Sequence, residues 1–111
     1  MTKFKDFFFI DREGDTYTVR MTPELQDDLG TVGYVDFIDQ DQLAEGDSFV
    51  NFEAAKTVFE AQTPLAGRVV KRNQAAVETP ELLNSADPSE NWLIQLEDVD
   101  AEAYEQLEDA Q

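Results

Sequence analysis

The sequence predicts a mainly β domain, a sandwich or barrel of antiparallel sheets with short helices inserted. Segments rich in aromatic and β-branched residues recur at 7–10, 16–20, 32–38, 48–52, 57–63, 68–71 and 92–97. Turn-formers separate them: Glu13-Gly14-Asp15, Gly30, Glu45-Gly46-Asp47, residues 64–67 and Asp87-Pro88-Ser89. Many short strands broken by regular turns are the signature of packed antiparallel sheets. Apolar content of 41% and aromatic content of 11%, most of it Phe, supply a core despite 30% charged residues.

The elements follow in order. After the first two strand segments comes the clearest helix: Thr22 is the N-cap, Pro23 occupies the first helical position, Glu24 faces the positive end and Gly30 closes it. Leu25 and Leu29, four apart, give it a buried stripe. Strands at 32–38, 48–52, 57–63 and 68–71 follow. Thr79-Pro80-Glu81-Leu82-Leu83-Asn84 repeats the capping grammar as a single helical turn. After the strand at 92–97, Asp100 caps a last helix with Ala101, Tyr104 and Leu107 on one face. No Lys or Arg follows Arg72, so this tail is purely acidic, either a solvated face or a docking patch for a basic partner.

A chain of 111 residues fits one domain. It is expected to span 1–111, with a core over about 15–99 and an acidic helical tail over 100–111. Cysteine is absent, so the polypeptide has no disulfide and no thiol redox site. Histidine is absent too, which removes the commonest general base and metal ligand together. The sequence therefore predicts a protein that is not itself an enzyme. Asp36, Asp39 and Asp41 resemble part of a calcium loop, but the glycine and glutamate of an EF-hand are misplaced, so no metal is expected. A formal charge of -17 opposes nucleic acid and anionic membranes and favours solubility, a monomer and steering toward basic protein surfaces. No apolar run approaches the ~20 residues of a membrane helix, and Asp6 interrupts the lysine-flanked start, so a cytoplasmic location is expected.

Phe52-Glu53-Ala54-Ala55-Lys56-Thr57-Val58 carries the functional signal. Lys56 is the only Lys or Arg between Arg20 and Arg68. It sits between Glu53 and Glu60, and between Gly46 and Gly67 at nearly equal distances. Apolar residues on both sides (Phe49, Phe52, Val58, Leu65, Val69) predict a hairpin whose tip presents this amine. An isolated, exposed amine on a rigid tip is what an enzyme needs to attach a carrier group.

Several segments, in order and spacing, resemble the H protein of the glycine cleavage system, in its short, H-like branch. Asp15-Thr16-Tyr17-Thr18-Val19 matches the family's first strand after an acidic turn. Leu29-Gly30-Thr31-Val32-Gly33-Tyr34-Val35-Asp36 is similar to its L-G-x-x-x-x-V-D, and Glu53-Ala54-Ala55-Lys56 to its E-S-V-K lipoylation motif. Thr63-Pro64-Leu65-Ala66-Gly67-Arg68-Val69 resembles the return strand, Pro80-Glu81-Leu82-Leu83-Asn84 a P-x-L-[LV]-N turn, and Trp92-Leu93 the family's G-W position. The resemblance covers about 15–104. It implies the lipoyl/biotinyl-carrier fold, a flattened antiparallel sandwich of the barrel-sandwich hybrid type.

By that resemblance Lys56 receives lipoate in amide linkage, Glu53 and Glu60 are read by the ligase, and Gly46 and Gly67 support the hairpin. Biotin acceptors instead resemble M-K-M, where this chain has Ala55-Lys56-Thr57. Full-length members carry an aromatic and histidine-containing segment where this chain has only residues 4–10. Asn91 replaces a glycine, Asp87-Pro88-Ser89 replaces a P-Y turn, and the C-terminal region is shorter. These departures predict a shallow cleft and a mostly free arm.

Three functions stay open on the sequence. One is a lipoyl carrier in a regulatory setting linked to ADP-ribosylation and oxidative stress, with a lipoate–protein ligase, sirtuin and macrodomain proteins as partners. In it Asp27 and Asp28, poorly placed near the negative end of the first helix, are candidates for modification or docking. Another is an aminomethyl carrier serving the glycine cleavage decarboxylase and aminomethyltransferase. The last is a lipoyl relay or an unmodified interaction module.

Overall fold

The computed structural model describes residues 2–110. Ten strands, three short helices and one 3₁₀ turn run in the order β1 (Thr2–Lys5), β2 (Phe8–Glu13), β3 (Thr16–Met21), α1 (Pro23–Leu29), β4 (Val32–Phe37), β5 (Gln42–Leu43), β6 (Ser48–Ala54) and β7 (Val58–Gln62). They continue with β8 (Gly67–Arg72), α2 (Gln74–Glu78), the 3₁₀ turn Pro80–Asn84, β9 (Trp92–Glu97), α3 (Ala101–Glu105) and β10 (Glu108–Asp109). The strands form two antiparallel sheets, one ordered β10-β1-β2-β3-β9-β8-β5 and the other β4-β6-β7. The expected fold class, mainly β with packed antiparallel sheets and short helices, is what the chain adopts.

Alternation along each strand decides which face is buried. Tyr17, Val19 and Met21 of β3 point inward, as do Phe8 and Ile10 of β2. From the smaller sheet Val35, Val50, Phe52 and Ala61 meet them, and Phe8 contacts Phe49 across the gap edge-on at 5.7 Å. In β9, Leu93 and Ile94 are both buried although they are consecutive. The register slips between Val19 and Arg20, pairing Val19 with Ile94 and Arg20 with Trp92. That slip leaves Leu93 opposite no partner and turns it inward, as a bulge does.

The seven strand segments read from the sequence are all present within a few residues at their ends. α1 forms as its caps dictate: the Leu25 amide donates to the Thr22 hydroxyl at 3.1 Å, and the same hydroxyl donates to the Phe7 carbonyl at 2.9 Å. Leu25 and Leu29 are buried beneath it. α2 carries no apolar periodicity to announce it. It is held by buried Asn73, whose side-chain amide donates to the Glu90 and Trp92 carbonyls rather than capping the helix.

The packed core reaches beyond 15–99. Phe8, Ile10 and Tyr104 belong to it. The tail is not a free helix: α3 is one short turn capped by Asp100, and β10 then pairs with β1, Lys3 opposite Asp109 and Phe4 opposite Glu108. Tyr104 is fully buried, edge-on to Tyr17 at 5.0 Å, with its hydroxyl donating to the Ile10 carbonyl. Leu107, expected on the helix face, lies past the end of α3 and is partly buried, while Ala101 is exposed. A two-residue strand of Glu and Asp has no hydrophobic alternation to read, so backbone pairing alone creates it.

Candidate functional site

β6 and β7 form a hairpin with Glu53 opposite Val58 and Phe52 opposite Phe59. The tip is Ala54-Ala55-Lys56-Thr57, closed by the Ala54 amide donating to the Thr57 carbonyl at 3.0 Å. Lys56 is exposed at this tip, as the sequence predicts. The two tip amides, which would otherwise face solvent, are fixed from below: Ala55 donates to the Thr31 carbonyl at 2.9 Å and Lys56 to the Leu29 carbonyl at 3.0 Å. The segment leaving α1 is thus a brace for the tip.

That brace is itself tied down. The Gln26 side-chain amide donates to the Leu83 and Ser85 carbonyls, both at 2.8 Å, fastening α1 to the 3₁₀ turn. The Asn84 side chain accepts from the Val32 amide at 3.1 Å, fastening the same turn to β4. Gln26, Asn84 and Gly30 are functional supports that sequence reading alone did not assign. The Pro80–Asn84 motif was visible, but its effect on Lys56 passes through two other elements.

The ammonium group of Lys56 donates to the Asp27 carbonyl at 2.7 Å, on the C-terminal turn of α1. That end of a helix carries partial negative charge and carbonyls without intrahelical partners. Asp27 therefore does lie beside Lys56, through its backbone, while its carboxylate and that of Asp28 belong to exposed residues. Six of the eight Lys and Arg residues are ion-paired: Lys3 with Asp109, Lys5 with Glu45, Arg12 with Glu105, Arg20 with Asp11, Arg68 with Glu97 and Asp98, and Arg72 with Asp41. Among the described residues only Lys56 and Lys71 lack a carboxylate, and Lys71 lies 5.8 Å from the Trp92 ring centre on the larger sheet.

Glu53 and Glu60 are exposed on β6 and β7. Both stand on the outer face of the three-stranded sheet, where Tyr34, Glu53 and Val58 form one cross-strand row and Asp36, Asn51 and Glu60 the next. Gly46 and Gly67, expected to support the hairpin, both lie away from its tip. Gly46 precedes β6 and donates to Thr63, at the opposite end of the hairpin from Lys56. Gly67 opens β8, where a Cβ would meet Val99 at 2.9 Å and the Glu97 carbonyl at 3.0 Å, so it serves the close approach of β8 to β9. The glycine under the lysine is Gly30: a Cβ there would meet Lys56 Cγ at 3.3 Å and Ala55 Cβ at 3.4 Å. Equal spacing in sequence placed two glycines near Lys56 that folding sends elsewhere.

At the edge of β7 a cavity of about 220 Å³ is lined by Asp6, Phe7, Phe59, Glu60 and Gln62. Phe7 and Phe59 meet edge-on at 5.4 Å and form its apolar wall. Asp6, at φ 58, turns the chain between β1 and β2 so that Phe7 reaches this edge. The short front segment therefore does build a wall beside β7, where a shallow cleft was expected. Among the described residues no group of three or more His, Cys, Asp or Glu side chains is gathered for a metal ion; Asp41 is engaged with Arg72.

A β-sandwich offering one exposed, braced lysine at a hairpin tip is a scaffold for carrying an attached group. The chain belongs to the glycine cleavage H-protein family, whose profile matches residues 2–111. It is 49% identical over 110 residues to a glycine cleavage system H-like protein of Staphylococcus aureus, covering 99% of this chain and 100% of that protein. It is 38% identical over 100 residues to a glycine cleavage system H protein of Bacteroides thetaiotaomicron, covering 89% of this chain and 79% of the relative. In fold it is similar to the crystal structure of a glycine cleavage system H protein from Mycobacterium marinum, with a TM-score of 0.76 at 24% identity, over 95% of this chain and 94% of the other. The chain is an H-protein-like lipoyl carrier and not a catalyst, and its family carries covalently attached lipoate. Among the described residues no helix is long and apolar enough to cross a membrane.

The tip fits such a group. Its amine is exposed, has no carboxylate partner among the described residues, and donates to the Asp27 backbone carbonyl. An acylated lysine nitrogen keeps one N–H, so that contact can persist after modification.

Proposed function

We propose that Lys56 is the lipoyl acceptor, that the whole chain acts as one lipoyl-carrier domain, and that it serves glycine cleavage as the aminomethyl carrier. The observation that carries this reading is the braced tip, with its amine held at 2.7 Å from the Asp27 carbonyl and free of any carboxylate among the described residues. Lipoate on that nitrogen would supply the dithiol–disulfide pair and the one-carbon attachment that a cysteine-free polypeptide lacks.

The chain's own residues then have separate tasks. The α1 brace fixes where the arm begins. Phe59 to Gln62 lie three to six residues along β7, and at roughly 3.3 Å per residue Glu60 is about 13 Å from Lys56. That is within the span of a lysine lengthened by an eight-carbon acyl chain. Asp6 and Glu60 place carboxylates where an amine cargo can be held, and Phe7 and Phe59 exclude water from one side. The arm's start is fixed, and its far end has somewhere to rest.

Its partners on this reading are a lipoate–protein ligase, the glycine decarboxylase and the aminomethyltransferase. The chain matches 79% of the length of a glycine cleavage system H protein. The comparisons give no support to an ADP-ribosylation-linked or oxidative-stress setting, nor to sirtuin or macrodomain partners.

The test begins with co-expression of the chain and a lipoate–protein ligase, followed by peptide mass mapping. Lipoate on Lys56 and none in Lys56→Arg is expected; lipoate on Lys3, Lys5 or Lys71 overturns the assignment. The lipoylated protein is then combined with the decarboxylase and aminomethyltransferase. Release of carbon dioxide from labelled glycine is expected, and its absence with all components active overturns the aminomethyl role.

A further inference from the structure

The described residues include five large apolar side chains left exposed, and two of them stand in the last cross-strand row before the hairpin tip. Val58 is 73% exposed and Tyr34 52%, against 39% to 40% for Phe7, Val70 and Val77. Single exposed apolar residues need no explanation. These two are not single: strand register places Tyr34 of β4 opposite Glu53 of β6, and Glu53 opposite Val58 of β7. They stand in one row across the outer face, and Val58 is two residues from Lys56 in sequence.

The neighbouring groups fix the chemistry of what can cover this row. Asp36, Glu53 and Glu60 share the face, and none of them has an ion-pair partner among the described residues. Among the described residues seven carboxylates are ion-paired, Asp41 and Glu45 among them, and none of the seven stands in these two rows; between Arg20 and Arg68 the sequence has no cation except Lys56. Two exposed apolar side chains on either side of the Glu53 carboxylate, with Asp36 and Glu60 in the next row, call for a partner surface that combines apolar and basic side chains.

We infer that the Tyr34–Glu53–Val58 row is the docking surface for the enzyme that acylates Lys56, which meets it with apolar side chains beside a basic one. The inference rests on Lys56 being the acceptor and adds what the enzyme reads beyond the lysine. Tyr34 and Val58 are positioning residues: they seat the enzyme, while the amine alone reacts. Acylation forms the amide bond between Lys56 Nζ and the lipoyl carbonyl, releases the activating group from that carbonyl and frees a proton from the nitrogen. A lipoate–protein ligase with lipoate and ATP supplies the activated carbonyl.

The experiment measures lipoylation kinetics with purified ligase, lipoate and ATP on the full chain, the Tyr34→Ser/Val58→Ser double variant, and Val70→Ser on the larger sheet. Two large apolar contacts at the centre of an interface give a fall in kcat/KM of about tenfold or more. The fall is expected in KM, with kcat at saturation retained, because neither side chain touches the amine. Val70→Ser is expected to match the parent, and raising salt from low to physiological should raise the parent's KM. Unchanged thermal midpoints show that the variants are folded, as expected for exposed positions. Equal kcat/KM for the double variant and the parent overturns the docking surface while leaving Lys56 the acceptor. An equal loss in Val70→Ser also overturns it, by showing general stickiness rather than a site. If the parent takes lipoate at no position or at a lysine other than Lys56, the attachment reading falls and takes the docking inference with it.

Discussion

Lys56 is available because its neighbours have already met the needs of the tip. The backbone amides of Ala55 and Lys56 are satisfied by Thr31 and Leu29, so the turn does not need the lysine side chain for support. Gly30 makes this possible, with φ 74 and ψ -149, a region essentially reserved for glycine, and a Cβ there would crowd Lys56 at 3.3 Å and Ala55 at 3.4 Å. Gly30→Ala is expected to cost about 1–3 kcal/mol from backbone strain alone and to slow lipoylation by shifting the tip. Chemical denaturation and ligase kinetics check the two effects together; a stable variant lipoylated at the parent rate would show that Gly30 is only a helix stop. Glu53→Ala should behave oppositely. An exposed carboxylate without an ion pair contributes within roughly ±0.5 kcal/mol to stability, so its loss should appear as slower lipoylation at an unchanged thermal midpoint. The lysine and its glutamate were legible because charge isolation is a property of the linear chain. The role of Gly30 was not, because contact with Lys56 depends on how α1 leaves its last turn.

At the scale of elements, the route to the site runs from the 3₁₀ turn to α1 and from α1 to the hairpin. Thr22 anchors that route, since its hydroxyl caps α1 and donates to the Phe7 carbonyl. Thr22→Ala removes both bonds at a residue only 3% exposed and is expected to cost about 1–2 kcal/mol, whereas Thr22→Ser should recover most of the loss. Urea unfolding of the three proteins tests this; equal midpoints for Ala and Ser would assign the effect to the lost methyl group instead. The cap was readable because Thr-Pro-Glu is local grammar. β1, β5 and β10 were not, because strands of two to four residues owe their existence to partners distant in sequence. The same is true of α2, whose fixing residue Asn73 reaches across to Glu90 and Trp92.

Across the whole molecule, β1 pairs with β10, and the β1–β2 turn then meets the edge of β7. Tyr104 lies at that closure, and burial, with Asp11 and Glu105 adding repulsion, pushes its hydroxyl up to about 12. A phenol whose pKa is higher folded than unfolded leaves stability undiminished below its ordinary value near 10 and lowers it as pH rises toward 12. Alkaline unfolding should therefore begin in that window, and Tyr104→Phe should flatten it; a parent and variant with identical alkaline profiles would remove Tyr104 as the cause. The β1–β2 turn secured by this closure carries Asp6 and Phe7 to the cavity at β7. If that cavity shelters an amine cargo, Asp6→Asn should leave lipoylation of Lys56 unchanged while lowering carbon dioxide release from labelled glycine about tenfold, as a charge-assisted hydrogen bond becomes a weaker neutral one. Asparagine tolerates the left-handed backbone that Asp6 adopts, so the turn is retained and the charge alone is removed. Phe7→Ala should lower turnover in the same direction by opening the wall to water. Full turnover in both variants would mean that the arm never rests at this edge, and that any shelter is supplied by the docked enzymes rather than by the carrier.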